Sequence, residues 1–401
     1  MAVAALISRL VRCTARPPGP WVGAAPAWRG LSTAAAPPTG GESKTSSETS
    51  GTCPLGSMIR NARLQWMDEV KLKLRRRAAF RWEKPPRKVL FVKKIGDAEV
   101  SAKSREMASW LLDKGLDVYI EPEAKATQEF PSECKQWRPQ DTSVDIDFGV
   151  VAGGDGTLLH FADLLGENEY YRSSGNDLRP LPPCVSFGMG SLGFMTNFKA
   201  ERYKEILGQV VEACEGKEVY TTLRTRLSCM VKTREGTVKP IYSCLNECVI
   251  DKGQSPGLGK MDLLVDGQPV TTVQGDGLII STPSGSTGYN LAVGGAMVAP
   301  SVPCMLLTPI APSTLSFRPV IIPESSKIEV SIPSTARTDG RAIFDGHKME
   351  VLKHGESVIV ETSKFPLPVI HAAPHDHDWF DSIIEKLHWN VRIQQKPLPE
   401  R

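Results

Sequence analysis

A glycine-rich turn with one acidic residue, GGDGT, begins at Gly153 and is the part of the sequence best suited to chemistry. It follows the apolar run IDFGVVA, which predicts a buried strand, and precedes LLHFADLL, which predicts a helix. Glycines let the backbone approach a phosphate closely, and the N–H groups of Gly154, Gly156 and Thr157 can face it. Asp155 could accept a hydroxyl proton or help to position a metal ion. Because Asp-Gly is also a common tight turn, these five residues alone leave a purely structural role open.

A second glycine motif, GMGSLG at residues 188–193, matches the G-x-G-x-x-G spacing of dinucleotide-binding loops. That fingerprint also requires a helix that begins at once and an acidic residue about 20 residues further on. Here the chain continues through Phe194, Thr196 and Asn197 before the next predicted helix, so the match is weak. Neither Gly-Lys pair, at 216–217 or 259–260, is followed by Ser or Thr, which excludes a P-loop kinase.

Two polar runs further along the chain are suited to recognising a ribose or a base. The run LNECVID places Asn246 and Glu247 inside a strand-like sequence, where strong hydrogen-bonding groups are unusual. The run GDGLIISTPSGSTGYNL holds Asp276, Ser284, Thr287, Gly288 and Tyr289. An exposed strand edge and an ordinary Ser/Gly loop would explain the two runs separately. Their density favours a nucleotide-like ligand, because hydroxyls and amides pair with ribose hydroxyls and base edges.

The elements that must position these residues fall into two kinds. In residues 85–216 predicted strands alternate with predicted helices, which is typical of a three-layer α/β domain with a parallel sheet. Residues 217–365 run as strand after strand between Gly-, Pro- and Asp-rich turns, which predicts an all-β domain. Residues 366–401 form a tail whose DWFDSIIEKLHW run predicts a helix. We expect this C-terminal helix to return to the first domain.

The N-terminal region differs from the rest of the chain in charge. Residues 1–94 carry 18 Lys/Arg and 5 Asp/Glu, and residues 95–401 carry the remaining 30 and 40, so the net charge of +3 hides an acidic body. Residues 1–41 are rich in Arg, Ala and Pro, contain no acidic residue and begin with an amphipathic run, as organelle transit peptides do. We expect import into the mitochondrial matrix. A plastid or cytosolic location, or an extension without an address, is the alternative.

Residues 42–84 form a linker and a basic arm, in which residues 57–83 are capable of forming a helix. Such an arm can touch an acidic membrane or partner, but more often it is solvated and leads into a domain. No segment approaches 18 consecutive apolar residues, so no transmembrane segment is expected, and the acidic body argues against nucleic-acid binding. The nine cysteines and the HDHD run at residues 375–378 lack zinc-ligand spacing, so we expect free thiols and no protein metal centre.

The motifs GGDGT, GSLGF, LNECVID, GDGLIISTPSGSTGYNLAVGGA, LSFRPV and FDG, in this order, resemble those of the NAD kinase family. The resemblance covers about residues 89–391 and implies the NAD kinase/diacylglycerol kinase-like superfamily fold. It implies transfer of the γ-phosphoryl group of ATP to the 2′-hydroxyl of the adenosine ribose of NAD, which gives NADP, with Mg²⁺ or another divalent cation. A lipid kinase that shares GGDGT, or a catalytically inactive NAD(P)-binding sensor, is the alternative. NAD against NADH stays open.

The resemblance also implies roles for individual residues. Asp155 would be the general base toward the hydroxyl, and the turn that begins at Gly153 would hold the triphosphate. The dinucleotide would contact Phe194, Asn246, Glu247, Asp276, Ser284, Thr287, Gly288 and Tyr289. Gly288 departs from the family pattern, which usually has Ala at this position. Because members of the family form dimers and tetramers, a homo-oligomer is expected.

Overall fold

The computed structural model of the chain describes residues 62–65, 77–126, 129–139, 141, 144–173, 181–189, 193–214, 217–239, 241–371 and 377–391. The predicted transit peptide, residues 1–41, lies outside the described residues, as do most of the linker and arm and the first two residues of the HDHD run. His377 and Asp378 of that run begin the C-terminal helix, His377–Leu387. In the described part of the chain, no helix is both long enough and apolar enough to cross a membrane.

The described residues contain 22 strands and six α-helices. The strands are β1 Ala62–Gln65, β2 Arg77–Trp82, β3 Lys88–Lys93, β4 Asp117–Ile120, β5 Lys135–Gln136, β6 Phe148–Gly153, β7 Cys184–Gly188, β8 Phe198–Lys199, β9 Val219–Arg224, β10 Leu227–Lys232, β11 Tyr242–Cys244, β12 Glu247–Asp251, β13 Gly259–Val265, β14 Gln268–Gly275, β15 Gly277–Ser281, β16 Cys304–Ile310, β17 Val320–Pro323, β18 Ile328–Ser331, β19 Gly340–Phe344, β20 Lys348–Leu352, β21 Ser357–Thr362 and β22 Leu367–His371. The helices are α1 Ala98–Asp113, α2 Pro122–Ala126, α3 Asp155–Ser173, α4 Tyr203–Val211, α5 Tyr289–Ala292 and α6 His377–Leu387.

The first sheet has ten strands in the order β1-β2-β9-β22-β7-β6-β3-β4-β5, with β8 beside β7. Neighbours from β22 to β5 are parallel, whereas β1, β2, β9 and β22 are antiparallel to one another. The strand β3 is buried on both faces: Val89 and Phe91 pack with α1 and α4, and Leu90 and Val92 pack with α3. The three-layer α/β domain with a parallel sheet is therefore confirmed, and an antiparallel edge is added to it.

Part of the basic arm is a strand of this sheet. Residues 57–83 were expected to be capable of forming a helix or to be solvated, but β2 pairs with β9, and Phe80 and Trp82 are buried. The Trp82 indole N–H donates to the Val210 carbonyl of α4 at 2.7 Å. The helical expectation is therefore wrong over β1 and β2, because pairing and aromatic burial outweigh the propensity of a short basic segment.

The first sheet also includes β9, which lies within the range predicted for the all-β domain, and β22, which follows that range. The strand β9 follows the expected boundary at residue 216, yet it pairs with β2 and β22 in the first sheet. In the structure the all-β region therefore begins at β10 and ends with β21.

The all-β region consists of two antiparallel sheets of six strands each. Their orders are β11-β10-β21-β18-β13-β14 and β17-β16-β15-β12-β19-β20. One hydrophobic cluster joins their inner faces, with Val330 and Val360 from the first sheet and Ile280 and Phe344 from the second. The expected all-β domain is thereby confirmed as a sandwich of two sheets.

The C-terminal helix α6 packs against the first domain, as expected. Ser382 and Ile383 are buried, and the Ser382 hydroxyl donates to the Gly193 carbonyl at 3.0 Å. This places the end of the described chain against the loop that follows β7.

The described cysteines are free thiols, and six of the seven are buried. The Sγ atoms of Cys229 and Cys244 lie 3.8 Å apart. Burial raises the pKa of the Cys184 thiol to about 12, as it does for Cys244, so these thiols are protonated at neutral pH.

Candidate active site

The GGDGT turn joins the buried strand β6 to the helix α3. The strand ends at Gly153, where an added Cβ would overlap the side chain of Thr157, so glycine is required there. Gly154 and Gly156 are exposed, and an added Cβ at either residue would meet no atom within 4 Å. Since the first N–H groups of a helix lack intrahelical partners, this exposed turn offers donors and partial positive charge to an anion.

The carboxylate of Asp155, the first residue of α3, is held by the loop after β7. Its Oδ2 accepts from the N–H of Phe194 at 2.8 Å, and its Oδ1 accepts from the N–H of Met195 at 3.0 Å and the hydroxyl of Thr196 at 3.3 Å. A Cβ at Gly193 would overlap this carboxylate. The last glycine of GMGSLG therefore allows the loop to reach Asp155, a role that the dinucleotide spacing did not suggest.

The Asn246–Glu247 pair lies where β12 begins and carries two unpaired acceptor atoms. Asn246 Oδ1 and Glu247 Oε2 are buried and have no hydrogen-bond partner among the described residues. Burial, together with the nearby charge of Asp345, raises the pKa of Glu247 to about 8. Its carboxyl group is therefore mainly neutral at pH 7. Unpaired polar atoms of this kind destabilise a fold unless a ligand supplies the missing partner.

Asp345, in the FDG motif, holds the backbone of this pair. Its carboxylate accepts from the N–H groups of Leu245, Asn246 and Glu247 at 2.7, 2.8 and 3.0 Å. Burial raises the pKa of Asp345, and the three N–H groups partly oppose that shift. Sequence reasoning listed FDG as a family motif but gave Asp345 no role, because its partners lie about a hundred residues earlier in the chain.

The TPSGSTGY loop packs directly on the same pair. Gly285 lies so close to the Asn246 backbone that a Cβ would overlap it, and the Asn246 carbonyl accepts from the Thr282 N–H at 2.9 Å. The Arg224 guanidinium donates to Ser284 Oγ at 3.1 Å, and a Cβ at Gly288 would lie 3.3 Å from Glu247 Oε2. This loop therefore brings Ser284 and Gly288 beside the unpaired acceptors.

The outer residues of this loop are more open. Thr287 is half-buried, and its hydroxyl donates to the Ser284 carbonyl at 3.2 Å. Tyr289 begins α5 and is 43% exposed. Both residues can face a ligand that lies over the loop.

Buried contacts join the two halves of the site. Leu245, just before Asn246, packs in one cluster with Leu158 of α3 and Met195 of the loop on Asp155. On the other side, Arg224 shares a small cavity with Asn197 of that loop. One packed core therefore links the turn at Asp155 to the Asn246–Glu247 pair, and we take the surface between the α/β and all-β domains at this point as the candidate cleft.

The structure does not bring Asp276 into this cleft. Along the paired strands β12 and β15, Glu247 is opposite Ser281, whereas Asp251 is opposite Gly277. Asp276 thus lies five residues from Ser281 along an extended strand, or about 17 Å. Its Oδ1 instead pairs with Lys252 Nζ at 2.8 Å. The carboxylate would need another route to a nucleotide in this cleft.

Within the described ranges, no group of three or more His, Cys, Asp and Glu side chains is arranged to hold a metal ion. The GGDGT turn offers the single carboxylate of Asp155. Such a site suits a cation that arrives on phosphate oxygens, because Mg²⁺ in proteins commonly binds one or two carboxylates plus substrate phosphates.

The fold defines a two-domain protein whose candidate site has three features. The exposed N-terminus of α3 can bind an anion, hydrogen bonds fix the carboxylate of Asp155, and Asn246 and Glu247 offer buried acceptors to a polar ligand. The sequence profile of the ATP-NAD kinase N-terminal domain matches residues 89–214, and that of the ATP-NAD kinase C-terminal domain matches residues 245–372. The mitochondrial NADH kinase pos5 of Schizosaccharomyces pombe is 31% identical over 79% of this chain and 78% of its own length. The chain belongs to the NAD kinase family.

Other relatives and solved structures agree with this family. The probable chloroplastic NAD kinase 2 of Oryza sativa subsp. japonica is 40% identical over 79% of this chain, and the match spans about a third (32%) of that relative. The crystal structure of yeast NADH kinase complexed with NADH matches with a TM-score of 0.71 at 27% identity, over 83% of this chain and 96% of that one. An NAD kinase from Archaeoglobus fulgidus in complex with ATP matches with a TM-score of 0.55 at 25% identity, over 75% and 98%.

Proposed function

We propose that the protein is an ATP-dependent NAD kinase, which transfers the γ-phosphoryl group of ATP to the 2′-hydroxyl of the adenosine ribose of NAD. The observation that carries this proposal is the pair of buried, unpaired acceptors, Asn246 Oδ1 and Glu247 Oε2, beside the Asp155 turn. Ribose hydroxyls are donors of the kind that such acceptors lack. A site built around them also rejects ligands without those hydroxyls, because the acceptors would stay unpaired.

In this mechanism the exposed N–H groups at the start of α3 bind the triphosphate, and Asp155 accepts the proton of the attacking hydroxyl. Because phosphoryl transfer is largely dissociative, the proton is lost late, and alignment matters more than a strong base. A divalent cation on the triphosphate would offset the charge that develops on the transferred group. Asp155 is suited to alignment, since three hydrogen bonds from residues 194–196 fix its carboxylate.

The test measures NADP formation from NAD and Mg²⁺-ATP by the wild-type chain, Asp155→Asn and a control. We expect Asp155→Asn to lower kcat roughly 10²- to 10⁴-fold with the fold retained. Asp262→Asn is the control, because Asp262 lies in β13 of the all-β region, where it accepts a hydrogen bond from the Thr272 hydroxyl at 2.7 Å. Full activity of Asp155→Asn would refute its role as the base.

The same assay separates the alternative functions. NADH replaces NAD in a parallel series, because relatives of both preferences match the chain. Phosphorylation of diacylglycerol or sphingosine, with none of NAD, would replace the proposal with a lipid kinase. Tight NAD binding without turnover at any divalent cation would indicate a sensor.

We also propose a homo-oligomer, in which Asp276 reaches the cleft of a second copy. The proposal is supported by the separation of about 17 Å between Asp276 and the Asn246 end of β15 within one chain. Asp276→Asn and Asp155→Asn chains, each impaired alone, should regain activity when they are mixed and reassembled, because some clefts then combine two intact contributions. No recovery in a verified mixed oligomer would contradict this arrangement.

For the leader we propose a mitochondrial transit peptide in residues 1–41, supported by its Arg-rich, acid-free composition. A reporter fused to residues 1–41 should enter the mitochondrial matrix and be shortened there. A variant with the four arginines Arg9, Arg12, Arg16 and Arg29 replaced by Gln should stay in the cytosol. Plastid import or cytosolic retention of the unaltered fusion would contradict the proposal.

A further inference from the structure

The turn between β19 and β20, residues 344–348, touches both halves of the candidate active site. We call it the FDGHK hairpin. On one side, Asp345 accepts from the backbone N–H groups that carry Asn246 and Glu247, at 2.8 and 3.0 Å. These bonds set where the pair's side chains begin, so a displacement of Asp345 displaces both of the unpaired acceptors.

On its other side the FDGHK hairpin contacts α3, the helix that begins with Asp155. Lys348 Nζ lies 2.7 Å from Asp163 Oδ1, and His347 Nε2 lies 3.4 Å from Asp163 Oδ2. Asp163 is eight residues after Asp155 on α3, or about 12 Å along the axis. This contact with Asp163 therefore links the all-β domain to the helix that presents Asp155.

The hairpin itself is stiff enough to transmit position. Asp345 and Gly346 both have positive φ values, 46° and 75°, and His347 Nδ1 lies 2.9 Å from the Asp345 carbonyl. The Phe344 ring stacks on Tyr242 of β11 at a centroid distance of 4.2 Å and an interplanar angle of 4°. The hydrogen bond of His347 and the stacking of Phe344 thus fix the contact at Asp345 relative to the contact at Asp163.

We propose that the FDGHK hairpin is a positioning element that sets the distance between Asp155 and the Asn246–Glu247 pair. Asp345 acts through the backbone of the pair, and Asp163 acts through α3. The inference deepens the proposed kinase function and rests on it for the catalytic half of its test.

A partly exposed ion pair adds little to folding stability, so the Asp163 contact is not explained well by stability alone. Phosphoryl transfer is much more sensitive to geometry, because attacking and leaving oxygens must lie in line, and small misplacements lower the rate strongly. The contact at Asp345 and the contact at Asp163 should therefore affect different kinetic parameters. Loss of Asp345 should weaken NAD binding, and loss of the Asp163 contact should lower kcat.

The test compares Asp345→Asn, Asp163→Asn and the control Asp262→Asn in the full chain. For each, the dissociation constant of NAD is measured by calorimetry without ATP, and kcat and the KM values of NAD and ATP are measured by NADP formation. Circular dichroism and the thermal midpoint report on folding. A charge-swapped double variant, Asp163→Lys with Lys348→Asp, rebuilds the ion pair in reverse.

We expect Asp345→Asn to raise the NAD dissociation constant roughly tenfold or more, with the KM of ATP within about twofold of wild type. Asp163→Asn should lower kcat roughly three- to tenfold at unchanged NAD affinity, and the double variant should recover most of that loss. Recovery of kcat on charge reversal, while the thermal midpoint stays unchanged across the series, is a result that a merely structural aspartate would not give.

Several results would overturn the proposal. If folded Asp345→Asn binds NAD within twofold of wild type, Asp345 does not position the Asn246–Glu247 pair. If Asp163→Asn has the kcat of wild type, or if the double variant shows no recovery, the Asp163 contact does not position Asp155. If Asp345→Asn does not fold, the Asp163 series alone decides. If the wild type binds NAD but makes no NADP, the kinase proposal fails, and the calorimetric comparison still tests Asp345.

Discussion

Replacing Glu247 with Gln should make the ligand-free protein more stable at neutral and alkaline pH. Burial, with the charge of Asp345, raises the pKa of the Glu247 carboxyl group from its ordinary 4.5 to about 8. Between these values the unfolded chain ionises at residue 247 while the folded chain does not. The wild-type fold therefore loses stability as the pH rises through this window, and Gln removes the loss because it never ionises.

The magnitude follows from the width of the window. Each pKa unit corresponds to about 1.4 kcal/mol, and pH 7 lies 2.5 units above 4.5. The variant should exceed the wild type in free energy of unfolding by about 3 kcal/mol at pH 7 and by about 5 kcal/mol near pH 9, where the effect levels off. At pH 5 the difference should shrink to less than about 1 kcal/mol.

The assay is urea denaturation of the full chain at pH 5, 7 and 9 without NAD or ATP. Glu218→Gln is the control, because Glu218 is exposed and should follow the wild type within about 0.5 kcal/mol at each pH. Wild-type and Glu247→Gln stabilities that run parallel from pH 5 to pH 9 would refute the reasoning, since the carboxyl would then ionise alike in both states. A difference in free energy of unfolding that grows as the pH falls would also refute the reasoning, because its pH dependence would have the opposite sign.

Patterns confined to a short stretch of chain predicted the fold well. The run IDFGVVA predicted a buried strand before the GGDGT turn, and it forms β6, whose six residues are all buried within the parallel sheet. The prediction failed where neighbours distant in sequence decide the structure. Trp82 belongs to a basic segment that becomes a strand because it pairs with β9, more than a hundred residues later, and because the Trp82 indole reaches the Val210 carbonyl.

The candidate site shows the same division. The Asp155 turn and the Asn246–Glu247 pair are visible as motifs, because close approach to a ligand requires those residue types locally. Asp345 looks like an ordinary Asp-Gly turn until the fold brings it to a backbone about a hundred residues away. Asp276 shares a run with Ser284, yet strand β15 carries the two to opposite ends, which a motif cannot show.

Three further predictions follow from individual contacts. Gly193→Ala should lower kcat for NADP formation roughly 10²-fold, because its Cβ would displace the Asp155 carboxylate; wild-type kcat would contradict this. Trp82→Ala should lower the free energy of unfolding by about 3–5 kcal/mol in urea, and a loss below about 1 kcal/mol would show that β2 contributes little. NAD binding at pH 7 should release up to about one proton, because hydroxyl donors to Glu247 lower its pKa. Calorimetry in buffers of different ionisation enthalpy measures the number of protons released, and proton uptake on binding would contradict this prediction.

Residues 95–401 carry a net negative charge, yet the proposed substrates ATP and NAD are both anions. The residues around the candidate cleft reduce the resulting repulsion. Residues 95–401 carry ten more acidic than basic residues, so no general basic field attracts ATP or NAD. Each carboxyl group that borders the cleft is instead masked in its own way. Asp155 and Asp345 each accept three hydrogen bonds, and Glu247 is mainly neutral at pH 7. The exposed turn at the start of α3 then offers N–H donors and partial positive charge to an entering phosphate. Since hydroxyl donors to Glu247 would displace its proton, NAD affinity should rise as the pH approaches 8, while the stability of the ligand-free protein declines over the window from about 4.5 to 8 and levels off above it.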